Sequence, residues 1–111
     1  MVKNVGAKYV ILGHSENRQS GDTDKLINLK IKSAIQSNLK VIFCIGETLS
    51  EKRKKITKKV LAKQIKNGLK SIKDTSKVII AYEPVWSIGT GLIPKSNDLL
   101  DSISYIKSKF Y

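Results

Sequence analysis

Two side chains in this sequence have the chemistry to move a proton between carbon atoms. His14, the only histidine, follows the apolar run Tyr9 to Leu12 (YVIL) within GHSEN. Glu83 follows the apolar run Val78 to Tyr82 (VIIAY) within AYEPVWSIGTG. A carboxylate and an imidazole facing one small molecule suit proton abstraction beside a carbonyl: the carboxylate takes the proton while the imidazole polarises the oxygen. Taken singly, a strand-end histidine is more often a hydrogen-bonded structural group, and a strand-end glutamate is more often simply solvated. The residues after Glu83 shift that balance. Pro84 fixes its own φ and holds Glu83 extended, while Gly89 and Gly91 permit backbone conformations closed to other residues. A stiff Pro84-Val85-Trp86, a short tip Ser87-Ile88-Gly89 and a pliable Thr90-Gly91-Leu92 are the parts of a hinged lid. Glycine amides at such a tip can approach an anionic oxygen closely.

Three strands would be needed to position these groups. Tyr9 to Leu12, Val41 to Ile45 (VIFCI) and Val78 to Tyr82 are rich in β-branched residues and lack polar alternation, which predicts strands buried on both faces. Helical spacing separates them. One stripe is Leu26, Ile27, Ile31, Ala34 and Ile35; a second is Ile56, Val60, Leu61, Ile65, Leu69 and Ile72; a third is Leu99, Leu100, Ile103, Ile106 and Phe110. Thr48 to Glu51 (TLSE) has capping-box spacing, and Ser96 or Asn97 can cap the last helix after Pro94. Lys52 to Lys55 (KRKK) falls near the expected start of the second helix, where the macrodipole disfavours positive charge. Met1 to Val5 with Gly6 reads as the tail of a helix and its glycine cap.

A strand every roughly 30 to 40 residues is the size of a βαβ unit, so the predicted class is α/β with a parallel sheet. With the strands in sequence order, His14 and Glu83 lie two strand spacings apart, about 10 Å between backbones. Both then sit at the carboxyl ends of strands, where α/β folds place ligands. Three strands with two open edges cannot cover one another, so the expectation is a slice of something larger.

Composition bounds the rest. A chain of 111 residues, 41% hydrophobic, fits one small domain with a modest core. Cys44 is the single cysteine and lacks CxxC or Cys/His spacing, so it reads as a small buried hydrophobe in a reducing compartment, and no metal is expected. No apolar run approaches the roughly 20 residues of a membrane helix, and no signal peptide is evident, so a soluble, cytoplasmic protein is expected. The formal charge of +12 permits polyanion binding. The lysines are scattered, however, without an arginine-rich patch interleaved with aromatics, so they read as solvated helix faces and no nucleic-acid or membrane partner is expected.

Together GAKYVILGHSEN, VIFCIGETL and AYEPVWSIGTG closely resemble the triosephosphate isomerase family, in that family's order and at its separations, over essentially the whole chain. The resemblance implies a partial TIM (β/α)8 barrel of three consecutive parallel strand-helix units, with residues 1–111 forming one partial-barrel domain. It would run from the end of the family's third helix to its sixth, less than half of a barrel of about 250 residues. It also implies an isomerase of glycolysis and gluconeogenesis that needs no cofactor or metal. The substrate would be a small phosphorylated triose, D-glyceraldehyde 3-phosphate or dihydroxyacetone phosphate, interconverted through an enediolate, and the partner an identical subunit.

Position by position, the resemblance makes Glu83 the base, His14 the neutral electrophile, and the Gly89 amide a donor to the substrate phosphate. A helical turn beginning near Ser15 would aim its N-terminus at the His14 ring and disfavour the imidazolium. Pro84 to Leu92 match the lid. Ser15, Glu16 and Cys44 stand behind the reacting groups, with Ser15 contacting the base while the lid is open and Glu16 pairing with the family's active-site lysine. The sequence departs from the family at Asn17, where an arginine is usual, at Asp22, where a glutamate is usual, and at Leu92, where a lysine is usual; Arg18 keeps the family's second arginine. The family's substrate-binding asparagine and lysine, and further phosphate-binding amides, come from segments that have no match here. The alternative expectation is therefore a catalytically inactive partial barrel that needs the missing strands or partner chains.

Overall fold

Each apolar run forms a strand: β1 at Tyr9–Leu12, β2 at Lys40–Ile45 and β3 at Val78–Tyr82. The computed structural model describes residues 8–87 and 94–110. The expected helix tail at Met1 to Val5 lies outside them, as do Ile88, Gly89, Thr90, Gly91 and Leu92 of the expected lid. The strands form one parallel sheet in the order β1-β2-β3, with Val10 beside Val41 and Val41 beside Val78. Three consecutive parallel strand-helix units are therefore present, the α/β arrangement of a partial barrel.

The helices between the strands are α1 (Ser15–Gln19), α2 (Asp24–Gln36), α3 (Leu49–Arg53) and α4 (Thr57–Gly68), and α5 (Ser96–Phe110) follows the last strand. Ile27, Ile31 and Ala34 of α2, Leu61 and Ile65 of α4, and Ile106 of α5 are buried against Val41, Phe43, Ile45 and Val78 of the sheet. Burying each such large side chain stabilises the fold by about 1.5–3 kcal/mol. Phe43 is fully buried, and its ring occupies the space a Cβ on Gly68 would need: that atom would lie 2.3 Å from Phe43 Cζ. Glycine in α4 thus lets helix and sheet approach closely, and Asn28 of α2 donates to the Gly68 carbonyl at 2.8 Å and to the Lys70 carbonyl at 3.0 Å, closing the end of that helix.

Three expectations are corrected. The helix expected to start at Thr48 is two helices. Thr48 and Glu51 form a capping box on α3, Lys55 then takes a left-handed φ of 59°, and α4 begins afresh at Thr57. Lys52 and Arg53 consequently lie in the last turn of α3, where the macrodipole favours positive charge. The strands, too, are not all buried on both faces: Tyr9, Ile11 and Ile79 are exposed, because the helices that pack on this sheet lie on the other face and β1 and β3 are its edges. The third stripe is only partly internal, since Leu100 and Ile103 are exposed while Ser102 and Ile106 are buried; among the described residues α5 packs chiefly on α4.

Candidate active site

The parallel ladder between β2 and β3 continues past its last paired residues, because the Glu83 amide donates to the Ile45 carbonyl at 2.9 Å and the Val85 amide to the Glu47 carbonyl at 3.0 Å. Glu83 is thereby held at the carboxyl end of β3. His14 stands at the corresponding end of β1, two strands away, as the N-cap of α1. Its Nδ1 accepts a hydrogen bond from the Glu16 amide at 3.3 Å. With Nδ1 occupied as an acceptor, the ring proton belongs on Nε2, and Nε2 lies 3.3 Å from Glu83 Oε1. The two side chains that the sequence singles out are therefore in contact, rather than separated by room for a substrate. Both remain accessible, at 32% and 42% of their side-chain surface.

Ser15 is buried and Glu16 exposed. Ser15, Cys44 and Glu83 line one small cavity of about 10 Å³ with Gly13, Arg18 and Gly46, a volume near the lower limit for a single water molecule. Glu83 Oε1 is the carboxylate oxygen that meets His14. Burial pushes the Cys44 thiol up from its ordinary value; the Glu83 charge adds to this and the Arg18 guanidinium opposes it. The cysteine is consequently kept as the unreactive thiol. The described residues hold no cluster of three or more His, Cys, Asp or Glu side chains able to bind a metal ion.

Two residues support these groups through contacts that the sequence does not reveal. Arg18 ties the strand ends together: its Nε donates to the Gly13 carbonyl at 2.7 Å, its Nη2 to the Cys44 carbonyl at 3.2 Å, and its Nη1 to Asp24 at 2.6 Å. The carbonyl next to His14 is thus fixed relative to β2. Nearby, Asp22 pairs with Lys30 at 2.9 Å, and its amide donates to the Asn17 carbonyl at 2.9 Å.

The other residue is Glu47, buried at 2% exposure behind Glu83. Tyr82 donates its hydroxyl to this carboxylate at 2.8 Å, Trp86 its indole N–H at 3.2 Å, and Thr57 its hydroxyl at 3.4 Å. Burial of a carboxylate is costly unless donors replace its water, and here they come from β3, from the turn Val85–Ser87 and from the start of α4. Burial pushes the Tyr82 phenol well above its ordinary range; a hydrogen bond from Ser102 opposes this and the Glu47 carboxylate reinforces it. A glycine-glutamate pair after a strand carries no signal of this role, whose donors lie 10, 35 and 39 residues away.

Comparison with known proteins agrees with this geometry. The family model described as triosephosphate isomerase matches residues 1–111. The triosephosphate isomerase of Chlorobium luteolum is 50% identical over 98 residues, which is 87% of this chain and 39% of that relative. That of Chlorobaculum tepidum is 44% identical over 110 residues, 98% of this chain and 45% of the relative, and that of Mycoplasmopsis pulmonis is 45% identical over 109 residues, 97% and 44% respectively. The chain spans less than half the length of the curated relatives it matches. With a match along its entire length and three parallel strand-helix units carrying His14 and Glu83 at their carboxyl ends, the chain belongs to the triosephosphate isomerase family.

Proposed function

We propose that this sequence serves triosephosphate isomerase activity, interconverting D-glyceraldehyde 3-phosphate and dihydroxyacetone phosphate, with Glu83 as the base and His14 as the electrophile. The observation that carries the reading is the 3.3 Å approach of His14 Nε2 to Glu83 Oε1 at the strand ends of a chain in this family. Glu83 takes the proton from the carbon beside the substrate carbonyl and returns it to the neighbouring carbon. His14 offers its Nε2 proton to the carbonyl oxygen and then to the enediolate oxygens. Because the two side chains touch, substrate enters only as Glu83 swings away from the ring; Pro84 leaves that freedom to the side chain while restricting the backbone. The Gly89 amide is proposed to meet the substrate phosphate, and Pro84 to Leu92 to form the lid that excludes water. The partner is proposed to be an identical subunit and the compartment the cytoplasm; no described helix is long and apolar enough to cross a membrane.

The test is the turnover of Glu83→Gln. Loss of a positioned base lowers kcat by roughly 10²–10⁴-fold with KM little changed. Turnover equal to that of the unaltered protein would remove Glu83 from the mechanism.

A second reading is favoured by the exposed Tyr9, Ile11 and Ile79 face and by the chain's coverage of less than half of its relatives. In it, residues 1–111 alone form an inactive partial barrel that acquires activity only with further strands. Turnover of the 111-residue chain clearly above its own Glu83→Gln background sinks that reading.

A further inference from the structure

Gly46 is pinched between two groups. On one side, an added Cβ would lie 1.8 Å from the Glu83 carbonyl oxygen, so the backbone of Glu83 rests directly against the Gly46 Cα. On the other side stands Gln64 of α4, buried, whose side-chain amide pairs with Gly46 in both directions. The Gly46 amide donates to Gln64 Oε1 at 2.9 Å, and Gln64 Nε2 donates to the Gly46 carbonyl at 3.1 Å. Gln64 thus offers Gly46 the same donor and acceptor that a further backbone segment would, just where the regular pairing of β2 and β3 ends at Ile45 and Tyr82. The flanking carbonyls of Ile45 and Glu47 accept the amides of Glu83 and Val85. Residues 45 to 47 are therefore the wall against which residues 83 to 85 are set, and Gln64 is the side chain that fixes the middle of that wall.

We propose that Gln64 is a positioning residue for Glu83: through Gly46 it sets the backbone height and direction from which the carboxylate reaches substrate. This rests on the reading of Glu83 as the base. A side-chain amide suits the task because it satisfies a buried N–H and a buried C=O at once, without charge. An aliphatic residue of similar length would leave both backbone groups unpaired in a buried place, freeing residues 45 to 47 to shift. A glutamate would imitate the amide only while protonated, donating its O–H to the Gly46 carbonyl. Ionised, it would set a carboxylate against that carbonyl, and burial raises the pH at which this happens.

The test uses Gln64→Leu and Gln64→Glu in the 111-residue chain, with amide hydrogen exchange read by NMR as protection factors. Gln64→Leu is expected to lower protection of the Glu83 and Val85 amides by about tenfold or more, against less than about threefold for amides pairing β1 with β2. Gln64→Glu is expected to keep protection near that of the unaltered chain at about pH 5 and to lose it by about pH 8, a switch that also decides the matter should Gln64→Leu not fold. Unchanged protection at Glu83, or an equal loss across both strand pairs, overturns the proposal. In a protein that shows turnover, the same variants should lower kcat by about tenfold or more while KM stays within about threefold, with the pH-dependent rescue repeated in Gln64→Glu. Absence of turnover in the unaltered chain counts against the isomerase reading of that chain, while the exchange result still decides the role of Gln64.

Discussion

The two faces of the sheet are made from the same strands and similar residues, yet they have opposite fates. On one, Val10, Val41, Phe43, Ile45, Val78 and Ile80 meet the helices and form the core. On the other, Tyr9, Ile11 and Ile79 are 50%, 58% and 47% exposed. Within that second face there is a gradient. Toward the carboxyl ends of the strands, Cys44 is covered by the neighbourhood of Arg18 and Glu83, while toward the amino ends the face lies open. Folding of this chain therefore draws on one face, and the candidate chemistry occupies the closed end of the other. Stability and the candidate chemistry are divided between opposite sides of one layer, so that each can be perturbed with the other as control.

The largest effect is expected on the helix-covered face. Phe43→Ala empties a site filled to contact with Gly68 and should cost about 3–5 kcal/mol in urea unfolding. A loss below about 1 kcal/mol would mean that this face does not dominate folding. On the open face, Ile11→Thr should change stability by no more than about 0.5 kcal/mol in the same chain, since a half-exposed methyl group already meets water. A cost approaching that of Phe43→Ala would show that something covers Ile11 in solution. The smallest effect belongs to the closed end of that face and is a pH dependence. The fold raises the Cys44 thiol above its unfolded value by burial first, so its contribution is complete below the unfolded range and is lost as pH rises through the folded one. Urea midpoints should therefore fall as pH rises above about 8.5, and Cys44→Ala should flatten part of that fall. An identical slope in the variant would sever Cys44 from the covered end.

Much of this architecture is legible in the chain itself. The β-branched runs marked all three strands, with Lys40 the only residue added, and the strand ends placed His14 and Glu83 on one edge. What escaped has physical causes. Lys55 breaks the second helix in a left-handed conformation that glycine or asparagine would have advertised and lysine does not. Glu47 gathers donors from three separate elements, which no local pattern encodes. Direct contact between His14 and Glu83 depends on side-chain rotamers, whereas the strand spacing fixes only their backbones. The open face escaped because Tyr9, Ile11 and Ile79 are the residues of a strand covered on both sides; whether a cover is present is not written within the strand.

The lysines left on the surface acquire a meaning from that open face. Both edges of the described sheet, β1 and β3, offer backbone groups to any further strand, and beside them lie uncovered apolar side chains. Two copies that met edge to edge would satisfy each other. At a formal charge of +12, however, the copies repel before they touch, over a range of about 10 Å in 0.1 M salt. Charge thus opposes contact between copies of this chain, and raised salt weakens that opposition.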